Sequence, residues 1–277
     1  TILESRTGKR CFGVLPFFSR AARLPQEDAM SLDYREKDKR GGQIKIAVPR
    51  LARIANFDDL DPLAAEPNVS IEIIDSGSAF PGDIDVILIP GSKATLSDLR
   101  QIREEGWDTD IIAHHRRGGL IVGLCGGYQI LGHAIADPDG IEGVPGEASG
   151  LGLLEVRTEL RGTKSLAEKF GKEISTGEEV RGYEMHIGKT EGPGTARPWL
   201  TLSDGQPEGA VSEDGRIFAS YLHGIFAADG FRRRFLRKVG SVSNEIVYET
   251  SVEEALNELA SHVEKHLDLD ALLSIAK

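Results

Sequence analysis

From residue 44 onward, short aliphatic runs alternate with longer stretches of helical spacing. Ile44-Lys45-Ile46-Ala47-Val48, Ile71 to Ile74, Val86 to Ile89 and Leu120 to Leu124 are strand-like, and a helix pattern across Thr95 to His115 separates the last two. Runs apolar on both faces, alternating with helices, predict βαβ units around a buried parallel sheet. Beyond about residue 150 the segments become shorter and broken by glycine, at Leu151 to Leu160, Gly182 to Thr190, Gly209 to Ser212 and Arg216 to His223. These read as further strands, partly antiparallel, extending the same sheet. From Ser251, the spacing of Val252, Ala255, Leu256, Leu259, Val263 and Leu267 predicts an amphipathic closing helix. The expected fold class is α/β, a mostly parallel open sheet flanked by helices.

Polar positions mark the boundaries. The charged run Asp33 to Arg40, followed by Gly41-Gly42, has a composition that supports no core and reads as a linker. The expected division is residues 1–42, a domain over 43–240, and a helical extension over 241–277 packed on that domain. Cys11 to Leu15 is strand-like without partners nearby, and the first residue is Thr1 rather than Met, so a fragment whose preceding domain is missing is expected.

The 277 residues suffice for one large domain or two ordinary ones. With 33 Lys and Arg against 44 Asp and Glu, the net charge of −11 argues against nucleic acid or anionic lipid as the main partner. No apolar stretch approaches the ~18 to 20 residues needed to span a bilayer, and no signal-peptide order opens the chain, so the expected compartment is the cytoplasm. Cys11 and Cys125 are too few and too differently placed for a disulfide framework, and no metal site is expected.

The most informative segment is Gly123-Leu124-Cys125-Gly126-Gly127-Tyr128-Gln129. An apolar strand ends at Cys125 and a helical pattern begins after two glycines, the signature of a nucleophile elbow exposing one side chain at the carboxyl end of a sheet. A lone cysteine is often a small buried hydrophobe. Glycine on both flanks and the strand-to-helix junction make Cys125 the candidate nucleophile, at a helix start that favours a thiolate. Cys11 has none of this context and reads as core or interface.

Pro90-Gly91-Ser92-Lys93 follows the preceding strand and should face the elbow across the crevice at the strand ends. The N–H of Gly126, with one from Gly91 or Ser92, would then form an oxyanion hole. Pro-Gly-Ser is also compatible with a plain turn before a helix. A cysteine nucleophile needs a base, commonly histidine. His114 and His115 sit with Arg116 and Arg117 at a helix end and read as structural, and His133 should point away from the elbow tip. His262 and His266, four apart, suit a solvated helix face better than a metal. His223, at the end of a late strand, is the candidate base, and His186 a candidate for shaping the substrate site.

These residues resemble the class I glutamine amidotransferases. The cysteine segment, Pro90-Gly91-Ser92-Lys93, Gly182-Tyr183-Glu184-Met185-His186-Ile187-Gly188 and Tyr221-Leu222-His223-Gly224-Ile225-Phe226 are similar to the cobyric acid and cobyrinic acid a,c-diamide synthase branch. Gly13-Val14-Leu15-Pro16, Leu24-Pro25-Gln26-Glu27-Asp28 and His266 to Leu273 resemble the cobyric acid synthases within it.

The resemblance implies a flavodoxin-like amidotransferase fold, with residues 1–42 the tail of an ATP-dependent synthetase domain. It implies glutamine as amide donor, Cys125 and His223 as catalytic pair, and Gly91, Ser92, Gly126, Gln129 and His186 around the substrate. ATP, magnesium and the corrinoid substrate would belong to the synthetase domain, which amidates carboxylates of adenosylcobyrinic acid a,c-diamide. Two positions depart from the pattern. Class I enzymes carry Glu two residues after the histidine, where this chain has Ile225, so another group must orient His223. The branch carries Asn after Pro-Gly-Ser-Lys, where this chain has Ala94, which would loosen either the loop or its glutamine contact. A cobyrinic acid a,c-diamide synthase, an unrelated cysteine hydrolase and an inactive binding module remain alternatives.

Overall fold

The aliphatic runs form a sheet covered on both faces, as their two-sided apolarity demands. The computed structural model describes residues 2–24, 43–162, 165–240 and 246–276. In chain order the elements used below are β1 (Ile44–Pro49), β2 (Val69–Ile74), β3 (Val86–Ile89), α1 (Thr95–Glu104), α2 (Trp107–Arg116), β4 (Leu120–Leu124) and α3 (Gly126–Leu131). They continue as β5 (Ser165–Glu173), β6 (Glu179–His186), β7 (Leu200–Leu202), β8 (Ala210–Val211), β9 (Ile217–Ser220), β10 (Leu222–His223) and α4 (Asp229–Val239).

The main sheet runs β8-β9-β4-β3-β1-β2, with β2, β1, β3, β4 and β9 parallel and β8 antiparallel at the edge. Ile121 on β4 sits between Ile87 on β3 and Ile217 on β9, a layer of β-branched side chains across the sheet. One face packs Ile46, Val48, Leu88 and Val122 with Phe231, Phe235 and Leu236 of α4. The other packs Ala47, Ile87, Ile89 and Ile121 with Leu99 and Ile102 of α1 and Trp107 and Ile111 of α2. Full burial contributes roughly 1.5–3 kcal/mol for each Val, Leu, Ile or Phe side chain among them. The expected α/β class is the fold found.

Three expectations need correction. The helix pattern over Thr95 to His115 is two helices, because Gly106 takes a left-handed conformation (φ +73) that ends the first and starts the second without strain. Of the segments after residue 150, only β8 and β9 extend the main sheet. Pro207–Glu208, β7, β5, β6 and β10 make a separate five-stranded antiparallel sheet. Lys189–Glu191, Arg157–Glu159, Ala134–Asp137 and Gly146–Ser149 make a third. The run Arg216 to His223 therefore serves two sheets. It bends after β9, where Ser220 Oγ accepts the Leu222 N–H and Glu208 accepts the Tyr221 N–H.

The third correction concerns the chain ends. Residues 247–276 form a compact unit with residues 2–24. Cys11 to Leu15 contributes one antiparallel bridge, Gly13 to Leu267, not a strand. The Asp268 N–H donates to Phe12 O at 2.7 Å, Arg10 pairs with Asp268 at 3.0 Å, and Phe18 lies 5.1 Å from the His262 ring. These partners are about 250 residues apart, beyond any local periodicity. Cys11 is half-buried, with Sγ 3.3 Å from Gly13 O. The expected linker over 33–42 and the motif continuing through Pro25 to Asp28 lie outside the described residues. No described helix is long and apolar enough to cross a membrane.

Candidate active site

β4 is buried along its whole length and delivers Cys125 in a conformation side chains rarely take, φ +52 and ψ −107. Strain of that kind amounts to roughly 1–3 kcal/mol and persists only where the surroundings enforce it. Here the Cys125 N–H donates to Ser220 O at 2.9 Å, and its carbonyl accepts the Gln129 N–H at 3.2 Å. The turn needs glycine at Gly123, where a Cβ would stand 2.5 Å from Leu131 Cδ1 and 2.8 Å from the Gly127 backbone. Cys125 is half-buried, its Sγ 3.6 Å from Met185 O on β6.

The loop after β3 meets this elbow. A Cβ on Gly126 would stand 2.8 Å from Ser92 Cβ and 2.9 Å from Ser92 N, so the two backbones touch. Gly91 is equally confined, its virtual Cβ lying 3.0 Å from Ala55 O and 3.2 Å from His223 Cε1. Gly91 and Ser92 pair antiparallel with Ala55 and Ile54, which fixes their height above the sheet. Ser92 Oγ donates to Asp98 Oδ2 at 2.6 Å and accepts the Ala94 N–H at 2.9 Å. Burial pushes the Asp98 carboxyl up, against its hydrogen bond from Ser92. The three candidate oxyanion residues thus converge on Cys125 and His223.

His223 is fully buried, and its partner is a residue the sequence did not single out. Nδ1 lies 2.7 Å from Asp59 Oδ2, while Asp59 Oδ1 accepts the Gly224 N–H at 2.6 Å. Asp59 is 2% exposed and sits on the 3-10 turn Phe57–Leu60, ahead of β2. Nε2 has no hydrogen-bond partner, although it is near enough to interact electrostatically with the Cys125 sulfur. Burial disfavours the imidazolium, yet the Asp59 carboxylate and the sulfur outweigh it and push the His223 pKa up to about 10.

Tyr183 completes the clamp. Its ring stacks on His223 at 5.3 Å and 25°, and its hydroxyl accepts from Asn56 Nδ2 at 2.6 Å. Burial pushes the Tyr183 pKa up to about 12. Asn56 and Cys125 are the only non-glycine residues with positive φ among those described, and both belong to this site. Asp59 is 164 residues from His223, and its neighbourhood of Asp58, Asp59 and Asp61 carries no motif. The only signal was indirect, Ile225 in the place of the usual acid.

The remaining candidates are placed as follows. Gln129 is buried and its amide is engaged within the protein, accepting from Thr95 Oγ1 at 3.1 Å and donating toward Ile187 O and the Tyr221 hydroxyl at 3.3 and 3.4 Å. It ties the elbow helix to its walls. His186 stacks on Tyr221 at 3.8 Å, with Nδ1 3.2 Å from Glu184 Oε1. That contact holds the Glu184 carboxyl low. His114 bonds Leu120 O at 3.1 Å and His115 pairs with Asp214 at 2.7 Å, both structural, while His133 is exposed. Ring nitrogens of His262 and His266 bond the carbonyls of Pro16 and His262.

The geometry brings together a candidate nucleophile, a buried histidine held by an acid and a backbone cradle, a set suited to attack on an amide carbonyl. Comparison with known proteins gives the family. Over its full length the chain is 50% identical to the cobyric acid synthase of Bradyrhizobium diazoefficiens and 48% identical to that of Cereibacter sphaeroides. In each case it covers 56% of the relative, so it spans about half the length of the proteins it matches. A solved glutamine amidotransferase shares the fold, with a TM-score of 0.51 at 18% identity over 71% of this chain and 99% of that one. Residues 45–231 match the family described as the CobB/CobQ-like glutamine amidotransferase domain, and the chain belongs to that family.

Proposed function

We propose that this chain is the glutamine-hydrolysing part of an adenosylcobyric acid synthase. It supplies ammonia for the ATP-dependent amidation of side-chain carboxylates of adenosylcobyrinic acid a,c-diamide in cobalamin biosynthesis. The observation that carries the reading is a strained Cys125 beside the open Nε2 of a buried, Asp59-held His223. The names of the relatives support this acceptor over that of the a,c-diamide synthases. In this reading ATP, magnesium and the corrinoid are held by a synthetase domain. The described residues include no cluster of three or more His, Cys, Asp or Glu arranged to hold a metal.

In the first half-reaction Sγ of Cys125 attacks the side-chain amide carbon of glutamine, forming a C–S bond, and the carbonyl oxygen takes negative charge. The N–H of Gly126 and one from Gly91 or Ser92 receive that charge. The His223 imidazolium gives its Nε2 proton to the amide nitrogen, the C–N bond breaks, and ammonia leaves a glutamyl thioester. The neutral imidazole then takes a proton from water, whose oxygen attacks the thioester carbon. The C–S bond breaks, releasing glutamate and restoring Cys125. Asp59 keeps Nδ1 protonated so that Nε2 is the working nitrogen throughout.

Replacing Cys125 with Ala in an enzyme containing this chain should remove glutamine-dependent cobyric acid formation, by ~10⁴-fold or more, while added ammonia still supports it. Product mass spectrometry with both nitrogen donors tests this. Glutamine-dependent amidation that survives the substitution would overturn the reading.

A further inference from the structure

The oxyanion loop ends where α1 begins, and that helix starts without a cap of its own. Its N-cap residue is Ala94, whose methyl group accepts no hydrogen bond. Alanine is among the poorest residues at this position, because the first helical N–H groups need an acceptor. The Thr95 N–H instead donates to Glu142 Oε2 at 2.6 Å. Glu142 lies 47 residues further on, in the loop between strands Ala134–Asp137 and Gly146–Ser149. That loop is fixed at its base, where the Asp137 carboxylate accepts the N–H groups of Ile141 and Glu142 at 2.8 and 3.0 Å. A carboxylate at a helix start is also favoured by the helix dipole.

Thr95 is held from its other side too, its hydroxyl donating to Gln129 Oε1 on the elbow helix at 3.1 Å. Three residues earlier lies Ser92, whose backbone rests against Gly126. Thr95 therefore links the 138–145 loop by hydrogen bonds to the elbow helix and, through three residues of chain, to the Gly91–Ser92 loop. We propose that Glu142 is a positioning residue for glutamine hydrolysis: it caps α1 in place of a side chain at Ala94 and so fixes the Gly91–Ser92 loop against the Cys125 elbow. This rests on the glutaminase reading above. It also accounts for the departure at Ala94, since the loop keeps its order through a cap delivered from another element.

The test compares the intact chain with Glu142→Ala, Glu142→Gln, Ala94→Asn and the double variant Glu142→Ala/Ala94→Asn. One readout is hydrogen exchange of the amides at 91–96. The other is the rate of Cys125 capture by the glutamine analogue 6-diazo-5-oxo-L-norleucine, set against capture by iodoacetamide, which needs only the thiol. Glu142→Ala should speed exchange at Thr95 about tenfold and slow capture by the analogue about fivefold, with iodoacetamide unaffected. Glu142→Gln keeps an acceptor and should retain most of both. Ala94→Asn should restore both in the double variant by supplying a local cap.

Unchanged exchange in Glu142→Ala overturns the inference, as does a loss that Ala94→Asn does not restore. Iodoacetamide capture falling in step with the analogue would point to general disruption and overturn it as well. A native chain whose accessible Cys125 takes no analogue would overturn the glutaminase reading and the role resting on it, a result distinct from all the others.

Discussion

The two halves of the proposed catalytic pair are built in opposite ways. Cys125 is set by seven consecutive residues, 123 to 129, in which strand, turn and helix follow one another and glycines leave room for the fold-back. His223 hangs on a two-residue strand and is held by Asp59, Tyr183 and Asn56, three residues from two distant segments. The nucleophile's geometry is local and strained, whereas the base's geometry is assembled by the tertiary fold. The strained turn is specified locally and enforced by one neighbouring strand, through Ser220 O. A clamp made of distant parts fails at whichever part is weakest.

The largest effect expected on the histidine side follows from Asp59→Asn. The variant still offers an oxygen to the Gly224 N–H but no charge to Nδ1, and glutamine turnover should fall ~10³-fold with little change in KM. It also has a pH signature. The folded His223 pKa is raised to about 10 from the ordinary value of 6.5. Its contribution to stability is therefore complete below about pH 6.5 and lost as pH rises toward 10. Asp59→Asn should lower the thermal midpoint most at pH 6, with the two proteins converging by pH 10. Parallel curves across that range would remove Asp59 from the role given to it.

What the sequence disclosed follows the same division. The parallel sheet was legible because strands buried on both faces are aliphatic throughout, and the elbow because a strand, cysteine and paired glycines leave few other readings. His223 was legible as a strand-end histidine. Asp59 was not, since one Asp among Asp58, Asp59 and Asp61 acquires meaning only when the Phe57–Leu60 turn is carried to β10. The division of the late strands among three sheets was hidden for a related reason. Short, half-buried strands with glycine breaks carry a period but not a partner, and Ile187-Gly188 does not announce that its two flanks join different sheets. Gln129 illustrates a third case, its motif position visible but its engagement with Thr95, Ile187 and Tyr221 not.

On the elbow side, Gly126→Ala is the sharpest probe. The added methyl meets Ser92 Cβ and backbone N below 3 Å, and the elbow is too constrained to yield, so the Gly91–Ser92 loop must move. Loss or displacement of an oxyanion donor lowers kcat by ~10²-fold. Binding of glutamine should change far less, and alkylation of the thiol by iodoacetamide should stay within about twofold. A kcat near the native value would mean that the loop borders the elbow without serving the oxyanion.

The smallest expected effect tests whether the base depends on remote support at all. Tyr183→Phe keeps the ring over His223 and removes only the hydroxyl that Asn56 Nδ2 reaches at 2.6 Å. One neutral hydrogen bond is worth about 1 kcal/mol, so kcat should fall about fivefold. Asn56→Gly deletes the same bond and tolerates the left-handed backbone (φ +53), so it should match Tyr183→Phe. Asn56→Ala adds the strain of a β-carbon in that conformation, and should be the more damaging of the two Asn56 variants. If Asn56→Gly were silent while Tyr183→Phe lost activity, the hydroxyl would be acting on the reacting groups directly. The base would then be supported from within the site, and the contrast between a local nucleophile and a remotely held histidine would shrink to the Asp59 contact alone.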